Sequence, residues 1–136
     1  IEKIIKHRVL PQLEKFHIKL FLKIPYLNRS EKAMYKRHAA AGGNMIENIP
    51  CCQDIIPYIV YHHERWDGSG FPKHLRGANI PLGARIIAVA DYYDTIINPS
   101  TEFWAKTKTQ AVRELFSASG LLFDPEIVKA FIETLG

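Results

Sequence analysis

Two adjacent histidines and one aspartate are the residues of this sequence best suited to chemistry. His62 and His63 end an apolar, periodic segment, and Asp91 lies in the middle of the most apolar one. A buried carboxylate is costly unless it is paired or bound to a cation. An ion pair is the structural alternative, with Arg85 and the histidines as candidate partners. Because a third histidine, His38, also falls on an inward helix face, the set favours a shared metal ion.

The ligand types restrict the metal and its chemistry. Imidazole and carboxylate without sulfur suit iron, manganese, zinc or nickel better than calcium or magnesium, which prefer oxygen ligands. Four ligands from three helices leave positions open for water or substrate, which is typical of a catalytic site. With two ions, a bridging water would ionise near neutral pH and attack a phosphorus atom in line. The residues therefore predict a hydrolytic metal centre, and a structural metal site is the alternative.

The first helix that must position these ligands is predicted to begin after Asn28. Asn28 and Glu31 have the spacing of a capping box, and helical periodicity continues to about residue 48. One face of this helix is predicted to point inward, and it holds Met34, His38, Ala41 and Met45. Taken alone, His38 would be read as a buried histidine bonded to a backbone carbonyl.

The second helix is predicted to have Asp54 as its N-cap and the histidine pair at its end. Neighbouring residues on a helix point about 100° apart. His62 and His63 can therefore share a site only if it lies between them or holds more than one ion.

A loop rich in glycine and proline follows, with Gly68, Gly70, Pro72, Gly77 and Pro81 in fourteen residues. Such a composition prescribes backbone shape, and loops of this kind usually carry function. Gly70, Phe71 and Pro72 are therefore predicted to form a lid or a surface for a partner. A compact surface loop pinned by Phe71 and Leu75 is the alternative.

The remaining periodic segments are helical as well. Helices are predicted over residues 82–97, near 109–116, and after Asp124, which has Pro125 in the first helical position. No segment alternates with period two for long enough to indicate a strand. The chain is predicted to be one all-α helical bundle over residues 1–136, part of a longer protein, with an abbreviated N-terminal region.

Composition is that of an ordinary globular protein. Of 136 residues, 47% are hydrophobic and 24% charged, which excludes a largely disordered chain. The longest apolar run, residues 86–90, is far too short to span a membrane, and the adjacent Cys51 and Cys52 predict a reducing, cytoplasmic location. Lys and Arg outnumber Asp and Glu by 18 to 14. Because they are scattered, we expect phosphate-bearing ligands and no nucleic acid partner.

The central motif resembles that of the HD-GYP domain, a subgroup of the HD phosphohydrolase superfamily. The resemblance rests on HHERWDGSGFP followed by IPLGARIIAVADYYD, with GFP at the place of GYP, and extends from about residue 27 to the end. It implies a helical domain with two or three metal ions, commonly iron or manganese, of which we expect two here. It also implies hydrolysis of cyclic di-GMP by a metal-bound hydroxide.

The resemblance assigns roles to individual residues. Four positions match metal ligands of the family: His38, His62, His63 and Asp91. Asp94 matches a carboxylate that helps to arrange the pocket, which makes it a candidate for positioning water or phosphate.

Two segments depart from the family's pattern. FHIKLFLKIP stands where the family has an HDIGK-like string, so His17 is a candidate metal ligand and Lys19 a candidate for positioning water or phosphate, but no aspartate follows His17. NPSTEFWAKTK stands where the family has an RPYRK-like segment that grips phosphate. Lys106 and Lys108 are the candidate substitutes, although lysine lacks the planar fork of arginine.

These departures leave two functions open. One is a metal-dependent cyclic dinucleotide phosphodiesterase, which retention of the four downstream ligands favours. The other is a catalytically inert module that binds a nucleotide or a partner signalling protein through the GFP loop, which the missing aspartate favours.

Overall fold

The computed structural model describes residues 28–98 and 105–136, which form α-helices and no β-strand. The helices of this part are α1 (Arg29–Ile46), α2 (Ile56–Val60), α3 (Leu82–Ile97), α4 (Lys108–Ala118) and α5 (Pro125–Thr134). Two 3-10 segments, Pro50–Ile55 and Gly77–Asn79, precede α2 and α3. The prediction of an all-α fold is confirmed. None of the described helices combines the length and apolarity needed to cross a membrane.

Two helix starts follow the predicted capping chemistry. The Asn28 side chain accepts a hydrogen bond from the Glu31 backbone N–H, and the Glu31 carboxylate accepts one from the Asn28 N–H, both at 2.9 Å. Asp124 caps α5 by accepting from the Glu126 N–H at 2.9 Å. Each cap uses backbone donors that have no partner inside the helix.

Glycines let α1 lie close against α2. A Cβ atom on Gly42 would lie 3.1 Å from Ile59 Cγ2, and one on Gly43 would lie 2.7 Å from Val60 Cγ2. The buried residues of α1 are therefore small or aromatic: Tyr35, Ala39, Gly42 and Gly43.

This contact corrects the predicted inward face of α1. Met34 and Met45 are 55% and 61% exposed, and Ala41 is exposed as well. His38, the remaining member of the predicted set, is half-buried at the edge of the true face. The glycine pair decides the orientation because a Cβ at either position would crowd a side chain of α2.

Helix α3 joins the two halves of the described fold. It contacts α2 as well as α4 and α5. Val89 of α3 is fully buried in a core with Leu115, Phe123 and Val128. The residues of α3 that precede and follow Val89 are thus held between the histidine-bearing half and the C-terminal helices.

Arg85 of α3 stabilises this packing through its guanidinium group. Its guanidinium forms an ion pair with Asp124 at 2.6 Å and donates a second hydrogen bond to the Ile80 carbonyl at 2.9 Å. The suggestion that Arg85 neutralises Asp91 is therefore wrong. Its partner is the cap residue of α5, which only the packing of α3 against α5 brings near.

Candidate metal centre

Three imidazoles meet where α1 approaches the turn that follows α2. One ring nitrogen from each of His38, His62 and His63 lies within 4.8 Å of the other two. The Nε2 atoms of His38 and His63 are 2.9 Å apart. Two nitrogens bound to one ion at about 2.1 Å and roughly at right angles would be separated by about 3 Å. The spacing of this pair fits neighbouring ligands of one cation, and it is also a hydrogen-bond distance between the two rings.

The histidine pair lies in a turn, which corrects the prediction of a helix that carries it. Helix α2 ends at Val60, and the Glu64 N–H donates to the Tyr61 carbonyl at 2.9 Å. Neighbouring positions of a helix would point about 100° apart. In the turn, the ring centroids of His62 and His63 are only 3.9 Å apart.

The predicted cap of α2 is also wrong. The residue before α2 is Ile55, without a side-chain cap, and Asp54 is exposed. The chain enters α2 directly from the 3-10 segment, in which the Ile56 N–H donates to the Gln53 carbonyl. A backbone acceptor thus replaces the side chain that a cap would have supplied.

Backbone carbonyls set the tautomers of two histidines. His62 Nδ1 lies 2.6 Å from the Ile59 carbonyl, and His38 Nδ1 bonds the Tyr35 carbonyl in the same way. Because a carbonyl only accepts, Nδ1 carries the proton in each ring, and Nε2 is unprotonated when the ring is neutral. Burial lowers the pKa of both His38 and His62, which favours the neutral form that binds metals.

Asp91 faces a small cavity beside the histidines. The cavity measures about 20 Å³ and is lined by His62, His63, Arg65, Ala88, Asp91 and Tyr92, which is room for about one water molecule. Asp91 is not in the tight group of three nitrogens. Burial raises the pKa of Asp91, and the neighbouring His62 opposes that rise. No described residue donates a hydrogen bond to this carboxylate.

Tyr35 belongs to the site although the sequence did not single it out. It is 7% exposed, and its hydroxyl lies 3.4 Å from His63 Nε2. Burial, followed by the charge of Asp91, raises the pKa of Tyr35 to about 12, so the phenol stays protonated. Its position three residues before His38 on one helix is the signal that would have indicated it.

The GFP loop folds back onto the histidine turn. The Phe71 ring stacks on His63 with centroids 4.9 Å apart, and the Phe71 N–H donates to the His63 carbonyl at 3.2 Å. Gly70 is buried against the backbone of residues 63–65, whereas Pro72 is exposed. The loop therefore forms one wall of the site, and its role as a lid or partner surface stays a prediction.

Glu64 anchors the same loop through hydrogen bonds to the loop backbone. Its carboxylate is 2% exposed and accepts hydrogen bonds from the backbone N–H groups of Lys73 at 2.6 Å and Leu75 at 3.0 Å. The glutamate thus ties residues 73–75 to the histidine turn.

We expect Glu64→Gln to destabilise the fold by about 1–3 kcal/mol, because the glutamine amide has one acceptor oxygen and leaves one N–H unsatisfied. Urea unfolding measures the loss. Glu133→Gln, on the exposed end of α5, is the matched control and should leave the midpoint unchanged. Equal midpoints for the two variants would contradict this role of Glu64.

The structure does not bring the two candidate phosphate-binding lysines to the cavity. Lys106 forms an ion pair with Glu114, which also accepts from the Tyr92 hydroxyl at 3.2 Å. Lys108 donates to the carbonyl of Leu135 at the end of α5. A role for either lysine in substrate binding stays a prediction.

The other candidates lie away from the cluster or outside the described residues. Asp94 is exposed, and its carboxylate accepts from the Asn98 amide at 2.8 Å. The charge of Asp94 also raises the pKa of Asp91, and this effect is smaller than those of burial and of His62. His17 and Lys19 fall outside the residues that the structure describes, so their predicted roles remain predictions.

Comparison with known proteins gives consistent results. The HD domain family matches residues 17–127. A cyclic di-GMP phosphodiesterase of Thermotoga maritima is 36% identical over 117 residues, which cover 85% of this chain and 32% of that protein. The 3'3'-cGAMP-specific phosphodiesterase 2 of Vibrio cholerae is 39% identical over 109 residues, covering 79% of this chain and 21% of that protein. The chain thus spans a third or less of the length of these relatives.

A solved structure shares the fold. The crystal structure of a cyclic GMP-AMP specific phosphodiesterase of Vibrio cholerae superposes with a TM-score of 0.66 at 23% sequence identity. The match covers 84% of this chain and 26% of that one.

Proposed function

Because this chain belongs to the HD domain family, as its central motif predicted, we propose that it is a metal-dependent phosphodiesterase that hydrolyses a cyclic dinucleotide, with cyclic di-GMP as the first candidate. The observation that carries the proposal is the convergence of three histidine nitrogens beside a half-buried carboxylate. The names of the relatives include both cyclic di-GMP and 3'3'-cGAMP, so both compounds belong in the test. The reducing cytoplasm, in which Cys51 and Cys52 stay free thiols, is the compartment that we propose.

The residues present fit a divalent metal. HD phosphohydrolases use such ions, and neutral imidazoles with one carboxylate form a ligand set suited to iron or manganese. His38, His62 and His63 would hold one ion. Asp91 lines the same cavity from outside the group of three nitrogens, which is our reason to propose a second ion. When bound, the metals neutralise phosphate oxygens and lower the pKa of water.

The protein's own side chains preorganise this site. The carbonyls of Tyr35 and Ile59 fix the rings of His38 and His62. Phe71 covers one face of His63, which limits the access of bulk water to that ring. Such supporting contacts hold ligands in a productive geometry before substrate arrives.

The remaining candidate roles are part of the same proposal. Lys19 and Asp94 would position water or phosphate, and His17 would complete the ligand set from the region before α1. Lys106 and Lys108 could contribute to phosphate binding only by leaving their present partners. The GFP loop is the surface that we propose for a partner signalling protein, since Pro72 is exposed there.

One observation favours a second function. No aspartate follows His17, where the family's metal-bridging residue would stand. A module that binds metal and nucleotide without turnover is therefore the competing candidate, and it differs from the enzyme only in the chemical step.

A combined metal and turnover assay on the full chain tests the proposal. We expect purified protein to contain iron or manganese and to convert cyclic di-GMP to a linear product. Chelation should abolish turnover, and added Mn²⁺ or Fe²⁺ should restore it. Metal and nucleotide binding without product would support the inert module, and protein that binds neither ion would contradict both functions.

A further inference from the structure

Arg65 lines the candidate metal site, although neither the motif nor the ligand set assigns it a role. It follows the histidine pair and Glu64 directly in sequence, and its side chain borders the cavity of His62, His63 and Asp91. A guanidinium in this position is a permanent positive charge beside the candidate metal ligands.

The backbone of Arg65 is held on both sides. Its carbonyl accepts from the Gly68 N–H at 2.8 Å, and the next residue, Trp66, donates to the Leu122 carbonyl at 3.1 Å. Its N–H lies so close to Gly70 that a Cβ there would be 2.3 Å away. The fold thus fixes the position of the Arg65 backbone, from which the side chain extends.

The guanidinium lies against an aromatic ring, and the described residues offer it no hydrogen-bond acceptor. Its Cζ lies 5.6 Å from the centroid of the buried Phe123 ring, within the range of a cation–π contact. Among the described residues it forms no ion pair and donates no hydrogen bond, not even to Asp91. Five N–H donors are therefore available on a half-buried side chain at the cavity.

Arg85 and the two lysines predicted to bind phosphate are already engaged by other groups. Arg85 is paired with Asp124, Lys106 with Glu114, and Lys108 with the end of α5. Of the cationic side chains of the described residues, Arg65 alone lines this cavity.

On these grounds we propose that Arg65 binds a non-bridging phosphate oxygen pair of the cyclic dinucleotide. The proposal rests on the proposed function and identifies the residue that supplies the arginine fork missing from the segment after Asp94. The planar guanidinium can donate two parallel hydrogen bonds to one phosphate, which an ammonium group cannot do.

Three variants of the full chain test this role. Arg65→Met removes the charge and keeps an apolar stem, Arg65→Lys keeps the charge without the fork, and Arg113→Met is the control on the exposed face of α4. Calorimetry with manganese-loaded protein measures the dissociation constant for cyclic di-GMP. Metal content, thermal unfolding and, where turnover is present, kcat and KM are measured beside it.

We expect Arg65→Met to weaken binding and raise KM by about 10- to 100-fold, the range for a lost charge-assisted hydrogen bond. Arg65→Lys should show an intermediate loss, and Arg113→Met none. Metal content and unfolding temperature should stay at the wild-type values in all three.

Two results with the variants would overturn the inference. Wild-type affinity in Arg65→Met would show that the guanidinium does not touch substrate. Loss of metal from both Arg65 variants would show that the residue maintains the site instead. If the wild-type protein binds cyclic di-GMP without turnover, the enzymatic proposal fails and this test of Arg65 still applies. If the wild-type protein does not bind cyclic di-GMP, both the enzymatic proposal and this inference fail.

Discussion

Replacing His63 by glutamine is expected to abolish metal binding and to reduce phosphodiesterase turnover by more than about 100-fold. His63 is the centre of the cluster: its Nε2 lies 2.9 Å from that of His38 and 3.4 Å from the Tyr35 hydroxyl, and its ring stacks on Phe71. Loss of an outer partner of a metal ligand already costs about 10- to 100-fold. Removing the ligand itself should cost more.

Glutamine is chosen because it keeps a polar side chain of moderate size in a buried position, which limits the structural effect of the change. Metal content by elemental analysis and turnover of cyclic di-GMP are the two measurements. His74→Asn is the control, since His74 is exposed on the loop with φ of 56°, a conformation that asparagine tolerates. A His63→Gln protein with its full metal content would exclude the proposed centre.

Gly70→Ala is expected to destabilise the fold by about 1–3 kcal/mol or more and to weaken metal binding at the same time. The added Cβ would lie 2.3 Å from the Arg65 nitrogen and 2.5 Å from both Glu64 Cα and the His63 carbonyl oxygen. These are backbone atoms, so no rotamer change relieves the contact. The loop must move away from the turn that carries the histidines.

Gly77→Ala is the matched control for this prediction. Nothing lies within 4 Å of a Cβ at Gly77, although its φ of 58° is unfavourable for alanine, at a cost of about 1–2 kcal/mol. It should therefore lose stability without losing metal. Denaturant unfolding and metal titration separate the two effects, and a Gly70→Ala protein with wild-type metal affinity would show that the loop does not position the ligands.

Local chemistry in the sequence was sufficient for two helix starts and for the extent of α3. The capping box of Asn28 and Glu31 and the cap at Asp124 are formed as predicted, and α3 covers the predicted residues. These features depend on residues a few positions apart, so the sequence contains all the information that decides them. The family motif has the same property because its residues are nearly contiguous.

Packing between distant segments decided the rest. Arg85 pairs with Asp124, 39 residues away. The packing of Gly42 and Gly43 against α2 orients α1 so that its methionines are exposed. Other contacts of this kind engage Lys106 with Glu114 and Lys108 with the Leu135 carbonyl, and neither lysine lines the cavity.

The histidines and the aspartate in this sequence determined which chemistry is available, since neutral imidazole and carboxylate select a class of metals wherever they occur. The distances among those groups, and the contacts that Tyr35 and Arg65 make beside them, were decided only in the tertiary structure. The reason is physical: a short turn after α2 and a glycine pressed against its backbone set the positions of the rings, and both depend on residues that come together only when the chain folds.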